Sequence, residues 1–201
     1  MKAGFTLIEL LVSIAIFIII TSVAVWNNSQ FNSTILLTDL GYEIALSVRQ
    51  AQVYGITVKA PASCISSSNC PASLSGGFGS GYGIDFDMNS STSYILFEDG
   101  KTGAAPDHIY QPSEQLENFA IGRGYSIARI CVPGISSHIS TLAVSFIRPE
   151  PEAFVSINGA TASSNQEADI FVTDPQSIAQ REIVIEPTGQ ISVKLAMAPC
   201  N

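Results

Sequence analysis

The sequence predicts an α+β protein. One long amino-terminal α-helix, with a membrane half and an amphipathic half, packs on a carboxyl-terminal antiparallel β domain. Three observations carry that reading. From Phe5 to Trp26 run 22 residues without Lys, Arg, His, Asp, Asn, Gln, Gly or Pro. An apolar row spaced by four follows: Leu36, Leu40, Ile44 and Val48. From residue 56 the apolar period drops to two, with turn-forming residues between the runs.

At 1.5 Å rise per residue the first segment makes about 33 Å of helix, enough to cross a hydrocarbon core of about 30 Å. A buried core helix is rarely apolar on every face for six turns. A cleaved secretory signal is the other competitor, with Lys2 as its charged region and Ser22-Val23-Ala24 as a small-residue cut site. The apolar stretch exceeds the roughly 7–15 residues of such a signal, and an acid near its start is out of character. Lys2 is the only charge before the span, which favours a cytoplasmic amino terminus and an outward-facing body. Inside the span sits Glu9. A carboxylate there costs about 2.5–3.5 kcal/mol on insertion scales and marks a function and a partner.

The stretch Lys2-Ala3-Gly4-Phe5-Thr6-Leu7-Ile8-Glu9-Leu10-Leu11-Val12 resembles the leader and helix start of type IV pilins and type II secretion pseudopilins. A basic residue, Gly, Phe, a short apolar step and then Glu four residues after Phe make a specific pattern. The resemblance implies that a prepilin peptidase cuts between Gly4 and Phe5, methylates the Phe5 amine and leaves the apolar helix in place. It also gives Glu9 a partner, because in that family the acid of one subunit neutralises the terminal amine of its neighbour as helices stack. Two costly buried charges then find a low-energy state only in register. The implied partners are the prepilin peptidase, other pilin or pseudopilin subunits, an inner-membrane assembly platform and the lipid bilayer. The implied place is the inner membrane, crossed once, and then a pilus or pseudopilus.

Asn27-Asn28-Ser29-Gln30 leaves the span, and the amphipathic helix follows, with Ala51 and Val53 near its apolar row. Asp39, Glu43, Arg49 and Gln50 mark its opposite side, and Gly55 suits a left-handed helix end. Strands are expected at Gly55–Lys59, Tyr82–Phe86, Ser93–Glu98, Tyr125–Val132, Leu142–Ile147, Phe154–Ile157, Ile170–Thr173, Glu182–Ile185 and Ile191–Leu195. No parallel βαβ rhythm appears. The organisation is therefore a leader (1–4), a transmembrane and assembly helix (5–26), an amphipathic helix (27–55) and an exported β domain (56–201). "LSVRQAQVYGIT" at Leu46–Thr57 and "REIVIEPTGQISV" at Arg181–Val193 resemble the GspH/FimT-type minor pilins.

Several constellations bear on chemistry. Asp85-Phe86-Asp87-Met88-Asn89 opens like a calcium loop, but Ser90 replaces the turn Gly and Leu96 stands where a bidentate Glu is needed. A polar hairpin turn over Asp87–Thr92 is the better reading. The run from Gly76 to Gly83 lacks the Lys-Ser/Thr of a phosphate loop and reads as a surface loop. His108 and His138 have no ligand partners in sequence. No catalytic group, metal site or cofactor is expected, and no enzyme. Cys64, Cys70, Cys131 and Cys200 are even in number and form no C-x-x-C pair, which in an exported domain favours disulfides. Of three connectivities, Cys64–Cys70 with Cys131–Cys200 is preferred. After residue 26 stand eight basic and sixteen acidic residues, the totals less Lys2 and Glu9. That balance argues against the alternative of a FimT-like DNA-binding pilin in natural transformation, because phosphate contacts need cations.

Overall fold

A computed structural model describes residues 6–57, 79–100, 105–160, 163 and 165–196, with backbone alone for 26–32. Helix α1 runs from Leu7 to Ile56. The chain divides into two compact units, Met1–Leu36 and Leu37–Asn201, and the second contains every strand.

In the second unit the apolar line of the buried face of α1 is Leu37, Gly41, Ile44, Val48, Ala51 and Gly55, with Ser47 and Gln52 buried beside it. The spacing along that line alternates four and three, which holds one side of a helix against a surface. Leu37, Ile44, Val48 and Ala51 are fully buried. Each of the three larger ones contributes about 1.5–3 kcal/mol by leaving water. The expected row is thus displaced: Leu36 and Leu40 are half-buried and Val53 is exposed, whereas Leu37 and two glycines take the inner positions. The glycines allow close approach. A Cβ on Gly41 would lie 3.1 Å from Val193 Cγ1, and one on Gly55 only 2.3 Å from the Phe146 carbonyl oxygen. Gly55 is therefore not a left-handed helix end. It lies within α1, and the expected strand at Gly55–Lys59 begins as helix, with Val58 and Lys59 outside the described residues.

The strands are β1 Gly81–Asp87, β2 Ser93–Asp99, β3 Gln115–Ala120, β4 Ser126–Cys131, β5 Thr141–Phe146, β6 Phe154–Ile157, β7 Ala168–Thr173, β8 Gln180–Ile185 and β9 Ile191–Leu195. They form a five-stranded sheet, β3-β2-β1-β5-β6, and a four-stranded sheet, β4-β7-β8-β9. Every pairing is antiparallel. Helix α1 touches both sheets. Tyr54 meets Tyr82 of β1 edge to face at 5.6 Å, and Ser47 Oγ lies 3.0 Å from Tyr94 Oη of β2. On the other sheet Arg181 Nε donates to Thr38 Oγ1 at 3.2 Å. Buried Gln52 donates through Nε2 to the carbonyls of Pro151 (3.1 Å) and Gly189 (2.9 Å), so a polar side chain in the core is fully used.

Alternation on β1 explains its place. Tyr82, Ile84 and Phe86 are buried in the core, and the alternate residues Gly83, Asp85 and Asp87 lie on the outer face of the sheet. Gly83 belongs to this strand rather than to a surface loop, and a Cβ there would sit 2.6 Å from the Phe97 ring. The glycines at 76 and 77 lie outside the described residues.

The segment 105–114 packs over that outer face. Asp99 anchors it, accepting from Asp107 N (3.0 Å) and His108 N (2.8 Å). Glu114 accepts from Gly100 N (2.9 Å) and Gln111 N (3.2 Å). His108 stacks on Phe154 at 4.1 Å, and Tyr110 tilts against Phe97 at 5.5 Å.

Burial raises the carboxyls of Asp85 and Asp99 to about 7 and that of Asp169 to about 6, each further raised by neighbouring acids. All three bind a proton more tightly folded than unfolded. Their stabilisation is full below about pH 4 and is lost as pH rises through 6–7. Burial lowers His108, which opposes this trend below about pH 6.5. Three groups outweigh one, so the full chain in detergent is expected to melt at a higher temperature at pH 5 than at pH 8. Asp85→Asn is expected to flatten the profile. A melting temperature equal or higher at pH 8 would refute the assignment of these carboxyls.

Candidate functional site

The residues that the sequence singles out for processing and assembly stand at the start of α1. Gly4 and Phe5 lie outside the described residues. Glu9 is exposed on the first helical turn. Its backbone N–H donates to Thr6 Oγ1 at 3.4 Å, and Leu10 N donates to the Thr6 carbonyl at 3.2 Å. Thr6 thus stands at the cap position and Glu9 at the third helical position, the T-x-x-E spacing of a capping box. An acid here also faces the positive end of the helix dipole, worth about 0.3–1 kcal/mol at an exposed site. This local role was legible in the sequence, and a reading centred on the membrane passes over it.

From Leu10 to Val25 the helix is apolar on all sides apart from Ser13, Thr21 and Ser22. From Leu7 to Val25 every large apolar side chain is half exposed or more, reaching 82% at Leu7. Ser13 and Thr21 return their hydroxyls to helix carbonyls, at 2.7 Å to Glu9 and at 2.9 Å to Phe17. Leu7–Val25 is long and apolar enough to cross a membrane. A bare apolar surface of this extent needs lipid or other helices around it.

Residues 1–25 match the family model described as the prokaryotic N-terminal methylation motif. The chain's amino-terminal segment is type IV pilin-like. No curated protein and no solved structure matches the chain. The pilin-like motif ties an apolar helix to membrane anchoring and to assembly with other pilins, and its family is structural rather than enzymatic.

The remaining candidates fall elsewhere. In the calcium-like stretch, Asp87 caps a single turn of 3₁₀ helix, Met88–Ser90, accepting from Asn89 N at 2.8 Å. The stretch is the hairpin turn between β1 and β2, as the polar reading of Asp87–Thr92 expects. Among the described residues no group of three or more His, Cys, Asp or Glu could hold a metal ion. His108 places Nδ1 2.9 Å from Ser145 Oγ and 3.6 Å from Asp99 Oδ2, in a bracing role under Phe154. His138 is exposed, and its carbonyl accepts from Asn158 Nδ2 at 3.2 Å. Cys131, at the end of β4, is disulfide-bonded. Its possible partners Cys64, Cys70 and Cys200 lie outside the described residues.

Proposed function

We propose that the chain is a minor pilin or pseudopilin of the GspH/FimT type. In this reading it is a structural subunit of a type IV pilus or type II secretion pseudopilus, cut between Gly4 and Phe5, methylated at Phe5 and assembled through its amino-terminal helix. The observation that carries the reading is the methylation motif over residues 1–25, set on a helix with one carboxylate, Glu9, at its start. A free amine on Phe5 and a carboxylate on Glu9 each cost energy in a low-dielectric bundle, and pairing between subunits removes both costs. The body sits outside the inner membrane, its disulfides pairing Cys64 with Cys70 and Cys131 with Cys200. The second pair closes a loop of about 70 residues, worth roughly 4 kcal/mol in the chain-entropy model.

Mass spectrometry of the membrane-extracted protein tests the processing. The expected amino terminus is a methylated Phe5, with residues 1–4 absent. Replacing Gly4 with a bulkier residue is expected to leave the uncut chain in the membrane, since a small residue is needed beside the scissile bond. Recovery of a terminus at Val25 would mean that a signal peptidase removes the helix, and the filament reading would fail.

A further inference from the structure

The outer face of the five-stranded sheet carries a cavity of about 270 Å³ between β1, β5, β6 and the segment 105–114. Its polar floor is Asp85, Asp87, Thr141 and Ser156. The strand register explains the grouping: Asp85 stands opposite Ala143, Asp87 opposite Thr141, and Ala143 opposite Ser156. Ile109, Tyr110 and Pro112 form the apolar wall. Asp85 is only 6% exposed, yet among the described residues its carboxylate has no hydrogen-bond or ion-pair partner. Other buried acids nearby differ: Asp99 and Glu114 each accept two backbone N–H groups, and Glu98 accepts from the Ser80 hydroxyl at 3.5 Å. Asp87 already accepts through Oδ1 from Asn89, and the Ser156 hydroxyl donates to the Ala160 carbonyl at 2.6 Å, which leaves its lone pairs to accept. A buried carboxylate without a donor is costly, and it points into an open cavity.

We propose that this cavity binds a primary aliphatic ammonium, the chemistry of a lysine side chain. The charge sits at Asp85 and Asp87, and the methylene stem lies along Tyr110, Ile109 and Pro112. An ammonium brings three donors, which suit two carboxylates and a serine oxygen. Its stem covers apolar wall while its head stays with the charges, and the Tyr110 ring adds attraction for a cation. A bare divalent ion fits worse. Calcium takes about six to eight oxygen ligands, and among the described residues two carboxylates line this cavity, most of whose wall is apolar. Burial and the neighbouring Asp87 hold Asp85 at about 7 without a ligand, and a bound cation relieves both. The acidic balance of the chain favours the approach of such a ligand. This inference rests on the β body alone and is independent of the filament reading.

The test uses the full chain in nonionic detergent and saturation-transfer NMR with three ligands. Nα-acetyl-lysine methylamide and cadaverine are expected to bind, whereas the Nε-acetylated form of the first is not. Tighter binding of the blocked lysine would identify the natural ligand as a protein side chain, and tighter binding of cadaverine a free amine. Asp85→Asn, nearly isosteric, is expected to weaken binding at least tenfold, and Asp87→Asn, at the more open end, at least threefold. The proposal is overturned if the wild type binds neither amine or binds the acetylated form equally well. It is also overturned if both variants keep wild-type affinity.

Discussion

Gly55→Ala is expected to lower the melting temperature of the body by about 6–12 °C. A Cβ at this position would stand 2.3 Å from the Phe146 carbonyl oxygen and 2.8 Å from its carbon. Those are backbone atoms of β5, held on both sides by β1 and β6, so no side chain can swing away. Two effects oppose each other. Alanine is the better helix former by roughly 0.5–1 kcal/mol, but overpacking a close contact costs typically about 1–3 kcal/mol, and more where backbone must move. The clash wins, and α1 must shift from the sheet near Tyr54 and Tyr82, which meet at 5.6 Å. A loss of about 3 kcal/mol in a body of this size corresponds to the stated shift, at about 2–4 °C per kcal/mol. Gly122 provides the control: nothing stands within 4 Å of its Cβ position. Gly122→Ala is therefore expected to stay within about 0.5 kcal/mol of the wild type. Thermal melts of the full chain in detergent, followed through the buried tyrosines, measure both. A Gly55→Ala melting point within 2 °C of the wild type would show that the helix–strand contact is looser than described.

Gly55 also shows where sequence reasoning reaches its limit. A glycine after an apolar row reads as a helix stop, because its freedom at positive φ is a local property. Its actual role depends on Phe146, some ninety residues away, and no local pattern carries that. The displaced helix face has the same origin. Hydropathy favours Leu36 and Leu40, while contact with two sheets selects Leu37, Gly41 and Gly55. Eight of the nine expected strands have counterparts within about two residues, because alternation and turns are local signals. The missed strand, β3, is an edge strand with a bulge opposite Leu96 and Phe97. Leu116 falls at the irregularity, so Leu116 and Phe119, three apart, break the expected period of two. Glu9 and its motif were legible because they lie within one helical turn of each other. The amine cavity was not. It gathers residues from β1, β5, β6 and the segment 105–114, and its two acids read together as a loop motif. In the fold Asp87 caps the turn, whereas Asp85 lies on the sheet with no donor among the described residues.

The second large effect concerns Glu9, for which two roles now compete. As the acid of the Thr6–Glu9 capping-box spacing it acts within its own helix, and its loss would cost at most about 1 kcal/mol. In the proposed role it pairs with the Phe5 amine of a neighbouring subunit, and breaking a buried pair costs about 3–5 kcal/mol. Glu9→Ala removes both contributions, so it cannot separate them. Glu9→Gln can, because glutamine is accepted at this position of a capping box but carries no charge. Both variants are expected to insert in the membrane, since each makes the helix less charged, and both are expected to be cut after Gly4. Their β bodies are expected to melt with the wild type, because Glu9 lies in the other compact unit. Under the assembly role, crosslinking of both variants to partner pilins falls on the order of a hundredfold, the equivalent of about 3 kcal/mol at tenfold per 1.4. Under the capping role alone, Glu9→Gln crosslinks like the wild type and Glu9→Ala loses only several-fold. Retention of crosslinking by the glutamine variant, with normal processing, would therefore remove the intersubunit ion pair and leave Glu9 acting within the first turn of its own helix, behind the Thr6 cap.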